Sequence, residues 1–252
     1  MKHRWSRVGK FLMHAVVSSN LTDQDKPAVV LVHGLGVSSR YLKPTGHLLE
    51  PFYRVYIPDL PGFGQSEKPR LALDLDELAQ VLADWLDTQG LGQAHFYANS
   101  LGCQVMARFA VLYPARLQSL VLGGPTVDRQ ARNLWSQLYR LMRDIPRESA
   151  GLLLTVIWDY LVCGPPRIIA TGVYALADVL EDWLPRINQP VLVVRGQFDP
   201  IAPQSWIEEI AARLPQGRWA VIPNAAHAIN YSAPSQLAGL IQSLIEETRD
   251  IC

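Results

Sequence analysis

The chain has 252 residues, about half of them apolar (49%), with 23 Lys and Arg against 23 Asp and Glu. That length fits one large domain, or one domain carrying an insertion, with ample material for a core. The balanced charge excludes the basic footprint of a nucleic-acid binder or of a protein held on an anionic membrane.

Residues 1–10 are basic but lack the apolar run of a secretory signal, and the apolar stretch 11–17 is short and interrupted by His14. No stretch approaches the roughly 20 apolar residues of a spanning helix. The expected setting is the cytoplasm, with no membrane and no nucleic acid as partner. Residues 8–17 read as one or two β-strands, and 20–26 as a polar turn. Residues 28–33 form a continuous apolar run ending at a Gly-rich loop, which suits a strand buried on both faces of a parallel sheet. Residues 53–59 read as a second such strand, closed by Pro61-Gly62-Phe63-Gly64.

A helix follows. Asp74 is placed to cap it, and Glu77 completes a capping box. Leu75, Leu78, Ala79, Leu82 and Leu86 share one helical face, and Gly90 stops the helix. Then come a strand over 93–99, a helix over 101–113 stopped by Pro114, and a strand over 117–122. The alternation breaks at Thr126. Up to Arg186 the chain is rich in Leu, Trp and Arg and reads as mostly helical. It resumes with a strand over 190–195, a helix over 203–214 and a strand over 219–222. The last helix has Pro234 near its first turn and Leu237, Leu240, Ile241, Leu244 and Ile245 on one face. The fold class is therefore α/β: a mostly parallel sheet flanked by helices, with 126–186 as a helical insertion within a single domain. Ligands of such sheets bind beyond the carboxyl ends of the strands.

Four strand-end motifs carry chemistry. Ala98-Asn99-Ser100-Leu101-Gly102 joins a strand to a helix. A serine there sits on a sharp turn with its hydroxyl exposed, and small residues are needed two before and two after it. Gly102 meets that need; Ala98 is a mild departure from the G-x-S-x-G pattern. The helix beginning at Leu101 turns its N-terminal amides toward a developing oxyanion. The plainer reading of Ser100 is a helix cap. His33-Gly34-Leu35-Gly36 offers the amide of Leu35 as a second oxyanion donor. Its rival, a dinucleotide loop, lacks the third glycine. His33 itself reads as a residue that hydrogen-bonds to the loop backbone. Asp199, after a buried strand, is placed to orient a histidine. His227, among Asn224, Ala225, Ala226 and Ala228, follows the last strand.

The order Ser100, Asp199, His227, with the elbow and the His-Gly-x-Gly loop, resembles the α/β-hydrolase superfamily across nearly the whole chain. The loop from Asp59 to Ser66 is similar to a structural loop of that family, so Asp59 stays outside the catalytic set. The resemblance implies a helical cap over 126–186, no cofactor, and a small-molecule ester or related carbonyl substrate. It implies Ser100 as nucleophile, His227 as base, Asp199 as acid, and the Leu35 and Leu101 amides as oxyanion hole. Asp128 is the alternative acid, since some relatives place it after the sixth strand. Carboxylic ester cleavage is the expected activity. Asn99 and the Asp59 loop also resemble carbon–carbon bond hydrolases of ring-fission diketones, the second reading. A ligand-binding receptor on the same fold is a reading from another class.

No metal-ligand cluster is visible in the sequence. The cysteines Cys103, Cys163 and Cys252 are odd in number and unpatterned, which argues for a reducing compartment. Cys103 reads as a core residue behind the serine. Trp135, Trp158 and Trp183 read as the insertion's own core or as lining of an acyl pocket. The sequence carries no signal for oligomeric state.

Overall fold

The computed structural model describes residues 1–19, 21, 23 and 25–249. Part of the polar turn expected over 20–26 lies outside these residues, as does Cys252. Eight strands form one sheet: β1 (Lys2–Val8), β2 (Phe11–Val17), β3 (Ala28–Val32), β4 (Arg54–Pro58), β5 (Ala94–Asn99), β6 (Leu117–Gly123), β7 (Val191–Gly196) and β8 (Gly217–Ile222). Their order is β1-β2-β4-β3-β5-β6-β7-β8. β1 pairs with β2, and β2 with β4, antiparallel; every other pairing is parallel.

Nine helices complete the described chain: α1 (Ser39–Leu49), α2 (Leu75–Thr88), α3 (Leu101–Leu112), α4 (Leu134–Asp144), α5 (Ala150–Cys163), α6 (Pro165–Ala177), α7 (Gln204–Arg213), α8 (Ile229–Ser232) and α9 (Pro234–Arg249). Among the described residues no single helix is long and apolar enough to cross a membrane. The continuous apolar runs of the central strands have a simple cause. Val30 and Val32 of β3 enter one core with Leu82, Trp85, Met106 and Phe109, whereas Val29 and Leu31 enter a second with Leu42, Ile241 and Leu244. Successive side chains point to opposite faces, and both faces are covered.

Element ends agree with the sequence reading to within two residues for β3 to β8, α2, α3 and α7. The capping box of α2 is present in full, and Gly90 follows the helix at φ +68°. Two elements differ. β1 reaches back to Lys2, into the stretch read only as a basic start. It is an edge strand with exposed, charged side chains, so it shows no apolar pattern. α1 has no counterpart in the sequence reading, because Pro44 and Gly46 fall inside it and weaken its local propensity. The crossover from β3 to β4 needs a helix there, and the burial of Tyr41, Leu42, Thr45 and Leu49 holds it. Only helices, α4 to α6 and short 3₁₀ turns, occur between β6 and β7.

The turn from β5 to α3 is a tight junction of the sheet with a helix. A Cβ at Gly102 would lie 2.7 Å from the carbonyl oxygen of His33 and 2.9 Å from that of Val32. The obstruction is backbone, so it has no cheap way to give. Gly102→Ala is expected to destabilise the fold by about 1–3 kcal/mol, as overpacking does. Gly92 is open on all sides. Gly92→Ala should leave stability unchanged or raise it by up to about 1 kcal/mol. Denaturant unfolding of both variants checks the contrast.

Candidate active site

Ser100 occupies the turn at φ +55° and ψ −121°, a region that side chains rarely enter. Its N–H donates to the carbonyl of Gly123 (2.9 Å), and its carbonyl accepts from Cys103 N–H (2.9 Å). The residue is thus pinned by β6 on one side and by α3 on the other. The Gly34-Leu35 loop lies against it: a Cβ on Gly34 would stand 3.1 Å from that of Ser100. Leu101 is the first residue of α3, so its amide belongs to the helix's free N-terminal donors. Ala98 is fully buried in β5 and paired with Val32 of β3, and an alanine fits there.

Asp199 and His227 meet directly. His227 Nδ1 lies 2.9 Å from Asp199 Oδ2. The other carboxylate oxygen accepts the N–H groups of Ile201 (2.7 Å) and Ala202 (3.0 Å). Arg195 donates to the carbonyls of Asp199 and Ala202, both at 2.7 Å, and fixes the same loop. One oxygen is therefore locked by the loop and the other is left for the imidazole. With Nδ1 donating to the carboxylate, Nε2 is the nitrogen free to take a proton. His227 is only 9% exposed and Asp199 2%.

Burial works against a charged His227. The Asp199 charge and hydrogen bond, then the charges of Asp144 and Glu148, outweigh it and raise the imidazole to about 9. Gly124, at φ +55°, closes over the pair: a Cβ there would sit 2.9 Å from the imidazole. Ser100 and His227 line one cavity of about 520 Å³, within the usual range for small-molecule sites. Leu35, Leu101 and Val127 border it below, and Leu138, Val156 and Ile169 of α4 to α6 above.

The other sequence candidates fall outside the cavity's chemistry. Asp128 accepts from Gln130 N–H (2.9 Å) and from Arg140 (2.7 Å), so both oxygens serve the base of the insertion. His33 bonds the carbonyl of Gly34 (2.8 Å) and accepts from Leu60 N–H (3.0 Å), as expected of a loop-holding residue. Asp59 accepts from Ser39 N–H (2.6 Å) and Gln65 N–H (2.8 Å) and bonds His14 (2.8 Å), a structural role. Cys103 is fully buried, and burial pushes its thiol far up.

Two of the three tryptophans differ from both readings offered for them, while Trp183 packs against the core. Trp135 is 77% exposed and Trp158 55%. Trp183 packs between Arg108 and Arg186. None of the three borders the cavity, whose upper wall is mostly Leu, Ile and Val, with Asp144, Glu148 and Tyr160 among them. Among the described residues no group of three or more His, Cys, Asp or Glu is placed to hold a metal ion.

Three residues near His227 carry no sequence motif: Gly124, Asp144 and Glu148. Asp144 Oδ1 accepts the His227 N–H (3.2 Å), and Glu148 Oε1 accepts the Ala228 N–H (2.8 Å). Both acids come from the insertion, 80 or more positions away in sequence. The only trace of them in the sequence is acidic character within a Leu- and Arg-rich stretch.

Residues 29–240 match the sequence profile of the alpha/beta hydrolase family. A pimeloyl-[acyl-carrier protein] methyl ester esterase from Nitrosomonas europaea is 29% identical over 251 residues, covering 88% of this chain and 97% of its own. A protein named as a carbamate hydrolase from Stutzerimonas stutzeri is 25% identical over 233 residues, covering 83% and 88%. A thermophilic esterase from Thermogutta terrifontis superposes with a TM-score of 0.82 at 23% identity, over 98% of this chain and 99% of that one. With the eight-stranded sheet and its flanking helices, these likenesses place the chain in the alpha/beta hydrolase family.

Proposed function

We propose that this chain is a serine hydrolase that cleaves carboxylic esters of small molecules through an acyl-enzyme on Ser100. The observation that carries the reading is a strained serine and a carboxylate-bound histidine lining the same largely apolar cavity. The methyl ester esterase among the relatives supports the same bond type.

Ser100 Oγ attacks the ester carbonyl while His227 Nε2 takes its proton. Asp199 keeps Nδ1 protonated and stabilises the imidazolium. The carbonyl oxygen becomes an oxyanion, held by the amides of Leu35 and Leu101. The intermediate collapses, and the leaving alkoxide departs with the proton from His227. Water then attacks the acyl-enzyme with His227 again as base, and Ser100 recovers its proton as the acid is released. The segment 126–186 acts as a cap that closes the cavity and excludes water, and its apolar wall fits an acyl chain.

Carbon–carbon bond cleavage ranks second. Asn99, which resembles that group, has its polar atoms engaged: Oδ1 accepts from Tyr41 (3.1 Å) and Nδ2 donates to Gly123 (3.2 Å). A receptor function would give a single slow cycle, whereas this reading requires multiple turnover on p-nitrophenyl acetate and butyrate.

Ser100→Ala is expected to abolish that turnover with the fold intact, and a fluorophosphonate should label only the wild type. Equal labelling of the variant refutes the nucleophile. Asp199→Asn should lower kcat by roughly 10⁴-fold, as loss of a triad acid does. Asp128→Asn should change it little; the reverse ranking moves the acid to Asp128. The pH profile follows from His227. The base must be neutral to work, and its proton affinity is raised to about 9. The plateau of kcat/KM therefore lies above that value, and the rate falls along a single-proton limb as pH drops through it. A flat profile from pH ~7 to ~10 in folded protein excludes such a base.

A further inference from the structure

His227 has more negative charge around it than one orienting acid requires. Asp199 reaches the ring from the loop after β7. Asp144, at the end of α4, and Glu148, just beyond it, come from the opposite side and grip the 227–228 backbone. Both also line the cavity. Two backbone N–H groups need only neutral acceptors, and an amide side chain would serve. A buried carboxylate is costly unless a positive charge offsets it. One end of each acid is explained by the amide it accepts. Oε2 of Glu148 is buried without a hydrogen-bond partner. The titratable groups that face His227 are these three acids. Among the cations, Arg147 acts on Asp144 and Arg195 on Asp199.

We infer that Asp144 and Glu148 are positioning residues for His227: they fasten its loop to the insertion and supply the negative charge that stabilises the imidazolium formed when Ser100 gives up its proton. The inference rests on the assignment of Ser100, His227 and Asp199 proposed above. The charge these residues add is of use only while the imidazole is protonated, which is the state reached as the tetrahedral intermediate forms. The insertion then contributes to the chemistry as well as to the cavity wall. Seating of α4 places both carboxylates, and an insertion held away from the 227–228 loop leaves His227 with Asp199 alone.

The ionisation of the acids agrees with this geometry. Burial raises Asp144, against the pull of His227. Burial also raises Glu148, to about 7; the Ala228 amide and His227 oppose that rise, and Asp144 and Asp199 add to it. Glu148 is therefore an anion above about 7, and its support for the imidazolium fades as pH falls through that value.

Glu148→Gln and Asp144→Asn keep an oxygen that accepts the backbone N–H and remove the charge. The expected result is a displacement of the His227 limb of kcat/KM to lower pH, by about one unit for the pair. The plateau kcat should fall only a few fold and KM should hold. Glu148→Leu removes acceptor and charge together. It should lower kcat by roughly 10²-fold, as a misplaced catalytic group does, and Gln should rescue most of that loss. Glu246→Gln, an exposed acid on α9, is the control and should move nothing.

The imidazole is also read without turnover, by NMR titration of the His227 ring nitrogens in the Ser100→Ala protein. Adding Glu148→Gln should lower that titration midpoint. An unmoved midpoint in both profile and NMR overturns the inference and leaves the acids as packing. Should Asp144→Asn fail to fold, half-buried Glu148 decides alone. A Ser100→Ala protein with wild-type turnover instead defeats the nucleophile assignment, and the ring titration still reports on the acids.

Discussion

Backbone crowding where α3 leaves the sheet governs the arrangement of the whole site. The start of α3 runs so close to the end of β3 that residue 102 has no room for a Cβ. With strand and helix that near each other, one residue must make the turn, and it does so at φ +55°. The same crowding brings Gly34 onto Ser100, and Leu101 starts the helix directly after the serine. The strained backbone survives because β6 and α3 over-determine it, through the bonds of Ser100 to Gly123 and Cys103.

The sheet's double burial explains where the polar residues fall. Strands β3, β5, β6 and β7 are buried on both faces and mostly apolar, so little place remains on them for a working acid or base. The candidate catalytic groups stand at the carboxyl ends, where loops offer amides to satisfy them. Asp199 shows the pattern: two loop N–H groups occupy one carboxylate oxygen, Arg195 of β7 holds the loop's carbonyls, and the other oxygen is left for His227. Asp59 shows the structural version of the same device. Its oxygens are taken by amides and by His14, so nothing is left to offer a substrate.

This division sets what a sequence discloses. Buried parallel strands leave uninterrupted apolar runs, and strand-end loops leave Gly-rich or acidic punctuation; both were legible, and so were the alternation of elements and the strand-end positions of Ser100, Asp199 and His227. What escaped has a different physical origin. α1 is imposed by the crossover and by burial of Tyr41 and Leu42, against the local preference of Pro44 and Gly46. β1 is held by pairing with β2 at the sheet edge, with no hydrophobic face of its own. Trp135 and Trp158 were misread because a large aromatic residue is expected to be covered, and these stand on the outer side of the insertion. Asp144 and Glu148 act through contacts 80 or more residues away in sequence, which no local spacing encodes.

Those two acids also bear on how chemistry and closure are related. A base of higher proton affinity accepts the serine proton more readily, yet less of it is neutral at a given pH. Asp144 and Glu148 shift that balance toward the charged imidazole. By linkage the converse holds with equal magnitude: a protonated His227 tightens the hold on Asp144 and Glu148, and a neutral one loosens it. In the proposed mechanism the imidazolium forms as the serine attacks and disappears as the alkoxide takes its proton. On that cycle the grip on the insertion is strongest at the tetrahedral stage, when exclusion of water matters most, and relaxes when the acyl-enzyme must admit water and release the alcohol.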